Sequence, residues 1–399
     1  VVVNLYPFKK YSIIKDENLA INMIDIGGNS LLRASSKNYR YVTTITQIND
    51  YKKLIQNLRK NQGLTTLNFR RLLATKTFKL TSEYDHYIYR YFKNDKNFLN
   101  KTKLRYGENP HQKASIENNN KISISKYQLN GKEISYNNII DIDSGYNCLI
   151  EFKEPTCVII KHTNPCAVAS AKNIQQAFLR ALESDKKSSF GGIVLVNRAI
   201  NSKLANIINK NFFEILVSPK FDKKAENILI KKEKLILIKL DKINRKKEEF
   251  RSTIFGKLIQ VNDNFDINHK FINLVSKKEA SKKSIDDLVF SLKVAKHLKS
   301  NAIVLASNKK TIGLGMGQTN RIDALKIALD KMKANNKSKN YVCVSDGFFP
   351  FADGISLLKK NNCKIVAQPF GSINDIKIIK FAIKNKISLY FTKKRLFRH

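Results

Sequence analysis

The sequence holds no apolar run near the roughly 20 residues of a membrane-spanning helix, and no basic, apolar, small-residue leader opens it. With neither a span nor an export signal, the chain reads as cytoplasmic. The five cysteines, Cys148, Cys157, Cys166, Cys343 and Cys363, include no CxxC pair. Free thiols are therefore expected, not a disulfide framework or a structural zinc site. Acid is scarce: 33 Asp and Glu stand against 73 Lys and Arg, a formal net charge of +40. Arginine is scarce as well, at 14 against 59 lysines. Lysine neutralises phosphate, but arginine makes the bidentate base contacts that read sequence, so no specific nucleic-acid partner is expected. The surplus of lysine, asparagine and isoleucine follows A/T-rich codons, and a surface this positive favours anionic, phosphate-bearing substrates. An initiator methionine is also lacking. Val1 to Leu5 reads as an apolar strand that belongs in a sheet with upstream partners, so part of the protein is expected to precede it.

The 399 residues, 42% of them hydrophobic, suffice for two or more domains with sizeable cores. The first 95 or so residues read as an α/β unit. Its opening strand precedes Gly27-Gly28, a helix from Ser30 to Lys37 and a strand from Tyr41 to Thr46. Glycines ahead of a helix let an anion approach the first-turn N–H groups. Periodicity then predicts helices around Tyr51 to Arg59 and Leu67 to Tyr91, and the polar stretch Lys93 to Lys103 marks a boundary. The segment from Glu117 to Ser125 reads as a solvated insert.

Beyond it, a helix from Asp143 to Phe152 leads to the β-favouring run Cys157 to Ile160, which ends on Lys161 and His162 before Pro165 stops the ladder. Helices and strands then alternate through Ile174 to Ser184, Ile193 to Val196, Lys203 to Lys210 and Ile215 to Ser218. This alternation predicts a parallel sheet covered by helices, whose ligands bind at the carboxyl ends of its strands. A Lys-His pair delivered there is a candidate acid/base site. The grammar repeats later. Ser284 and Asp287 approximate a capping box before an apolar helix, Ala302 to Leu305 is a strand, and Asn308 to Lys310 is a hairpin turn. Arg321 opens a helix, and Val342 to Ser345 is a strand ending in Phe348-Phe349-Pro350-Phe351. Three rings in a strand-to-helix turn suit a flat heteroaromatic ligand, although phenylalanine more commonly packs a core. Strands Lys364 to Ala367 and Ser388 to Thr392 flank a helix capped by Ser372, and the final strand aims His399 back toward the sheet. Gly313 to Gly317 lacks the third spaced glycine and the downstream acid of a dinucleotide loop. The H-x-E and P-C-x-x-C ligands of a zinc deaminase are likewise missing.

Eight segments, in order, carry a resemblance: RYGENPHQ (Arg105–Gln112), GKEISYNN (Gly131–Asn138), KHTNPC (Lys161–Cys166), SFGG (Ser189–Gly192), SNAI (Ser300–Ile303), GLGMGQTNR (Gly313–Arg321), SDGFFPFAD (Ser345–Asp353) and the terminal RLFRH. The chain resembles the PurH family of purine biosynthesis, bifunctional enzymes that combine AICAR transformylase with IMP cyclohydrolase. The resemblance implies an α/β fold. Residues 1–95 would be a partial, methylglyoxal-synthase-like cyclohydrolase domain with linker helices. Residues 96–399 would be the transformylase, two tandem cytidine-deaminase-like subdomains divided at about 250.

The resemblance also implies formyl transfer from 10-formyltetrahydrofolate, a co-substrate, to AICAR, and in the full-length protein cyclisation of FAICAR to IMP, incomplete in this fragment. For transformylation it implies His162 as base, Lys161 and Asn301 on the reacting groups and His399 in proton movement. For ring closure it implies Tyr6, Asp25 and Lys37. Arg105 and Tyr106 would reach the nucleotide from the partner of a homodimer with shared active sites. Arg321 and Arg395 would face anionic or polar ligand edges, Phe190, Gly191, Phe348 and Phe351 would shape the ring pocket, and Asp353 would bind a polar edge. No catalytic metal, no nucleic acid and no membrane enter, and a structural potassium ion is compatible with the family. Ala167, Gly347, Phe255 and Phe370 depart from its pattern, the two phenylalanines replacing glycines in Gly-Gly turns where a positive φ would strain them. Two other readings stand beside this one: a dimeric, non-catalytic remnant and a basic nucleic-acid-associated protein.

Overall fold

The computed structural model describes residues 1–12, 16–93, 101–117, 126–241, 247–335 and 340–399. Most of the expected boundary stretch, at 94–100, and of the insert, at 118–125, lies outside the described residues. The chain forms two compact units, Val1–Lys101 with Glu117–Lys121, and Thr102–Ile116 with Ile122–His399.

In the first unit the described elements are helices: α1 (Phe8–Tyr11), α2 (Glu17–Asn22), α3 (Ile26–Lys37), α4 (Tyr51–Lys60) and α5 (Leu67–Phe92). The two expected strands reduce to a single parallel bridge between Val2 and Ile45. Two short segments without further neighbours cannot sustain a ladder. Gly27 and Gly28 do not precede the helix but form its first turn, because Asp25 is the N-cap and its Oδ1 accepts the Gly28 N–H at 2.6 Å. The chain's own carboxylate thus fills the anion position that the glycines suggested.

A short ribbon of β1 (Lys101–Lys103) and β2 (Ser115–Glu117) follows, and the rest of the second unit is built from two repeats. The first repeat contains β3 (Gln128–Asn130), α6 (Tyr136–Leu149), β4 (Thr156–Lys161), β5 (Asn164–Ser170), α7 (Ile174–Ser184), α8 (Lys186–Ser189), β6 (Ile193–Val196), α9 (Ser202–Asn209), β7 (Ile215–Ser218), α10 (Lys223–Leu229) and β8 (Ile236–Lys239). A hairpin of β9 (Glu248–Thr253) and β10 (Gly256–Val261) separates it from the second, which runs β11 (Ile272–Leu274), α11 (Lys282–Ala295), β12 (Ile303–Ala306), β13 (Thr311–Gly315), α12 (Arg321–Asn335), β14 (Val342–Ser345), α13 (Asp353–Lys360), β15 (Ile365–Pro369), α14 (Asp375–Lys384) and β16 (Ser388–Thr392). The strand orders correspond position for position: β3-β8-β7-β6-β4-β5 and β11-β16-β15-β14-β12-β13.

The sheets are mixed, not parallel. β6, β7 and β8 run parallel, but β4 is antiparallel to both β5 and β6. The reason is local: β4 and β5 are joined by only two residues, too few for a crossover, so they must form a hairpin. Pro165 therefore does not end the ladder; it lies in β5 opposite Ile160, on the sheet edge, where a missing donor is tolerated. Caps also move helix starts. Ser135 and Asn138 form a reciprocal capping box, so α6 begins seven residues earlier than expected. Ser281, not Ser284, caps α11, and α14 begins at Asp375 with Asn374 as its N-cap instead of Ser372.

Strand alternation builds the core. Val158, Ile160 and Leu195 on one face join Val304 and Val344 of the other repeat in a shared cluster with α6 and α11 residues. Ile159 and Val194, on the opposite face, pack with α7 and α9, while Ile303 and Cys343 pack with α12 and α13. The edges β5 and β13 meet, with the Ser170 N–H donating to the Lys309 carbonyl at 3.0 Å. Ala167 is buried in β5 opposite Ile159. Phe255 and Phe370 carry no left-handed strain, because the glycines after them, Gly256 and Gly371, take φ of 120° and 117°.

Glu151, just after α6, binds Lys296 Nζ at 3.2 Å and His297 Nε2 at 3.1 Å, both just after α11. Burial depresses the His297 pKa below its usual 6.5. The folded state therefore favours the neutral ring. Its contribution is full above 6.5 and is lost as pH falls through the lower, folded value. Thermal melts recorded from neutral to acid pH should show this loss, and His297→Gln, which keeps a donor toward Glu151, should flatten that part of the curve. An unchanged slope would exclude His297 as the group responsible.

Candidate functional site

Lys161 ends β4 and Asn164 begins β5, leaving His162 and Thr163 as the whole turn. Their φ values, 52° and 63°, are left-handed, as a two-residue hairpin requires, although neither is a preferred residue there. Side chains hold it. The Thr163 N–H donates to Asp141 Oδ1 at 2.5 Å, Ser144 Oγ donates to the Thr163 carbonyl at 2.6 Å, and Asn164 Nδ2 donates to the His162 carbonyl at 3.0 Å. His162 is exposed. Lys161 Nζ donates to the Phe190 carbonyl at 2.8 Å, which fixes the ammonium beside the Phe190-Gly191 turn. Gly191 has φ of 72°, and its N–H donates to the Phe212 carbonyl at 2.9 Å. The Lys-His pair does lie at a strand's carboxyl end, but β4 is antiparallel to β6, so it gathers at the amino ends of β6, β7 and β8. On that edge opens a cleft of about 590 Å³, lined by Lys132, Phe212, Glu214, Lys231, Lys232 and Lys234 among others. Lys132 pairs there with Glu214 at 3.2 Å, and Lys232 Nζ donates to the Asn209 and Asn211 carbonyls at 2.6 and 3.0 Å.

The second repeat carries the other expected site residues, and one bond links their segment to the hairpin. The Lys299 N–H donates to Asn164 Oδ1 at 3.0 Å, tying the hairpin to the segment that carries Asn301. Asn301 and His399 line a cleft of about 250 Å³ together with Ser300, Gly317, Gln318, Thr319 and Phe397. Asn301 is held at both ends: its Oδ1 accepts Arg321 Nη2 at 2.6 Å, and its Nδ2 donates to the Gln318 carbonyl at 2.8 Å. Arg321 is paired in turn with Asp346 and donates to Ser345 Oγ at 2.8 Å. Asp346 is fully buried, and its other oxygen accepts Ser300 Oγ at 2.5 Å.

The tail is strapped to the same group. The Leu396 N–H donates to the Asp346 carbonyl at 2.9 Å, and the Arg398 N–H donates to Ser300 Oγ at 3.2 Å. The Phe397 ring lies 5.9 Å from His399, with the Arg395 guanidinium 4.8 Å from its centroid. A Cβ on Gly347 would stand 2.5 Å from Arg321 Nη2 and 2.6 Å from Phe397, so glycine makes this packing possible.

Other expected site residues sit apart from these bonds. Phe348 and Phe351 present rings to solvent, while Phe349 between them is buried in the core. Asp353, exposed in the first turn of α13, accepts the Gly354 N–H. Arg105 stacks on Tyr106 at 4.6 Å and donates to its hydroxyl at 2.7 Å, and Arg105 Nε is buried without a hydrogen-bond partner among the described residues. In the first unit, the Tyr6 N–H donates to Asp25 Oδ2 at 3.2 Å and the Asp25 N–H donates to Tyr84 Oη at 2.7 Å. Lys37 is the last residue of α3, roughly 18 Å along the axis from Asp25, so the three are not brought together. Cys166, behind the hairpin, is buried and its thiol pKa is pushed up to about 12, which makes it a packing residue.

The chain matches the family described as "AICARFT/IMPCHase bienzyme" over residues 35–331. It is similar to the bifunctional purine biosynthesis protein PurH of Caldicellulosiruptor bescii, 42% identical over 422 residues, covering 100% of this chain and 81% of that protein. The protein of the same name from Buchnera aphidicola subsp. Baizongia pistaciae is 42% identical over 432 residues, with the same coverage. That of Staphylococcus haemolyticus is 40% identical over 405 residues, covering 100% of this chain and 80% of the relative.

Proposed function

The chain belongs to the AICARFT/IMPCHase bienzyme family, and from that premise we propose which of its residues carry the chemistry. Its function is in de novo purine biosynthesis, as an AICAR formyltransferase and IMP cyclohydrolase. The 5-amino group of AICAR is an aromatic amine, a weak nucleophile whose lone pair is delocalised. It attacks the formyl carbon of 10-formyltetrahydrofolate; a C–N bond forms, the bond from that carbon to N10 breaks, and N10 gains a proton. His162 takes the proton that the amine must lose, because imidazole is the side chain suited to proton transfer near neutrality. Lys161 stabilises the oxyanion or protonates N10, and Asn301 and His399 attend the reacting groups.

One observation carries this reading: the hairpin bearing Lys161 and His162 is tied through Asn164 and Lys299 to the segment bearing Asn301, which shares a cleft with His399. The rigidity of Asn301, held at both ends, supports a positioning task. The exposed rings of Phe190, Phe348 and Phe351 are suited to stacking on the heteroaromatic substrates. The matching strand orders support reading the two repeats as tandem subdomains, which we assign to the cytidine-deaminase-like fold that the family resemblance implies.

Arg105 and Tyr106 serve the nucleotide in the partner of a homodimer; the unpaired Arg105 Nε supports a ligand there. Arg105→Ala and His162→Asn should each be inactive alone and regain formyl transfer when the two are refolded together, because one shared site in the mixed dimer is intact. Mixtures as inactive as the parents would place Arg105 in its own subunit's site or outside any site. Formyl transfer by the purified chain, followed as tetrahydrofolate release, separates the enzyme from a non-catalytic remnant.

A further inference from the structure

The turn that carries His162 has a duplicate. Asp141 lies six residues after the α6 cap Ser135, and Asp287 lies six after the α11 cap Ser281. In each repeat two successive residues of the hairpin connection are left-handed, and the second of them follows its aspartate by 22 positions. Asp287 accepts the Asn308 N–H at 2.8 Å on Oδ2 and the Lys309 N–H at 2.6 Å on Oδ1. Asp141 accepts the Thr163 N–H at 2.5 Å, and the His162 backbone faces the same carboxylate. All four turn residues have φ between 52° and 63°. Left-handed geometry is costly for residues other than glycine and persists where the surroundings impose it.

The duplicate turn contains no histidine. It is an Asn-Lys pair that docks the repeats, Lys309 Nζ meeting Glu154 at 2.5 Å. There the aspartate does the same work with no imidazole to serve, the lysine being turned to Glu154. Its task in both repeats is therefore with the backbone.

We propose that Asp141 is a positioning residue for formyl transfer, a clamp on the left-handed His162–Thr163 turn that aims the imidazole at the reacting amine. The proposal rests on the assignment of His162 as the base. Ser144, nearly one helical turn beyond Asp141, completes the grip by donating to the Thr163 carbonyl. Burial raises the pKa of both aspartates, so the fold does not favour their charge. A clamp needs only an accepting oxygen, which the asparagine amide also has.

The experiment measures kcat, KM for both substrates and thermal midpoint for Asp141→Ala, Asp141→Asn and His162→Asn. Misplacing a reacting group by about 1 Å can cost about 100-fold, so Asp141→Ala should lose kcat on that order with KM changed less than about threefold, and Asp141→Asn should recover most of it. A folded Asp141→Ala with near-normal kcat, or an Asp141→Asn as slow as Asp141→Ala, would overturn the clamp. Should Asp141→Ala not fold, Asp141→Glu replaces it. Glutamate keeps the charge but overshoots the Thr163 N–H, so a clamp predicts at least about a tenfold loss of kcat, and a purely electrostatic role predicts none. Retained kcat in His162→Asn brings down the underlying base assignment; its loss with Asp141→Ala unaffected brings down the clamp alone.

Discussion

Asparagine in place of His162 is expected to slow formyl transfer to AICAR by roughly 10²- to 10⁴-fold, the range a positioned general base contributes. Asparagine is chosen because it tolerates the left-handed backbone that His162 adopts at φ 52°. The bonds that hold the turn run from Thr163 to Asp141 and Ser144 and from Asn164 to the His162 carbonyl, so none depends on the imidazole. His162 is also exposed, and its removal opens no cavity. Thermal midpoint and AICAR affinity should therefore stay close to those of the parent while kcat collapses. A rate within about threefold of the parent would mean that another group takes the proton.

Asp346→Ala should have the largest effect on stability. The carboxylate is fully buried, paired with Arg321 and bonded to Ser300. Removing one member of a buried pair leaves the other charge without compensation and costs about 3–5 kcal/mol. A domain of this kind is stable by only about 5–15 kcal/mol, so the second unit, whose repeats share a core cluster, should unfold at much lower urea concentration. Function should suffer with it, because Arg321 also holds Asn301. A loss below about 1 kcal/mol would show that Arg321 finds another partner or stays hydrated.

Much of this architecture is legible in the chain, and what is not has identifiable causes. Strand runs such as Cys157 to Ile160 and Val342 to Ser345 stand out because each is apolar on both faces, buried between helix layers. Strand direction is not legible there. The two-residue turn that makes β4 antiparallel is written His-Thr, without the Asn-Gly signal of such hairpins, whereas its duplicate begins with Asn308 and reads as a turn at once. Helix starts at Ser135 and Ser281 are hidden by nearby serines and acids that compete as caps.

Within the site, Lys161, His162, Asn301 and His399 are carried by recognisable motifs. Asp141, Asp346 and Phe397 belong to no reactive pattern of their own. Their partners lie 22 and 25 positions away for the aspartates, and for Phe397 the Arg321 guanidinium stands 6.0 Å from its ring, so only the folded chain shows them. Glu214 and its lysine neighbours escape notice for a different reason: in a chain with 59 lysines, a lysine-lined cleft has no compositional signature.

The central claim is that the hairpin of the first repeat and the Asn301 segment of the second form one catalytic site. A double-mutant cycle on kcat, with His162→Asn, Asn301→Ala and both together, tests it most directly. Groups that act as a unit are strongly non-additive, so the double variant should be little slower than the worse single variant. A double variant slowed by the full product of the two single losses would contradict the account, because the residues would then act independently.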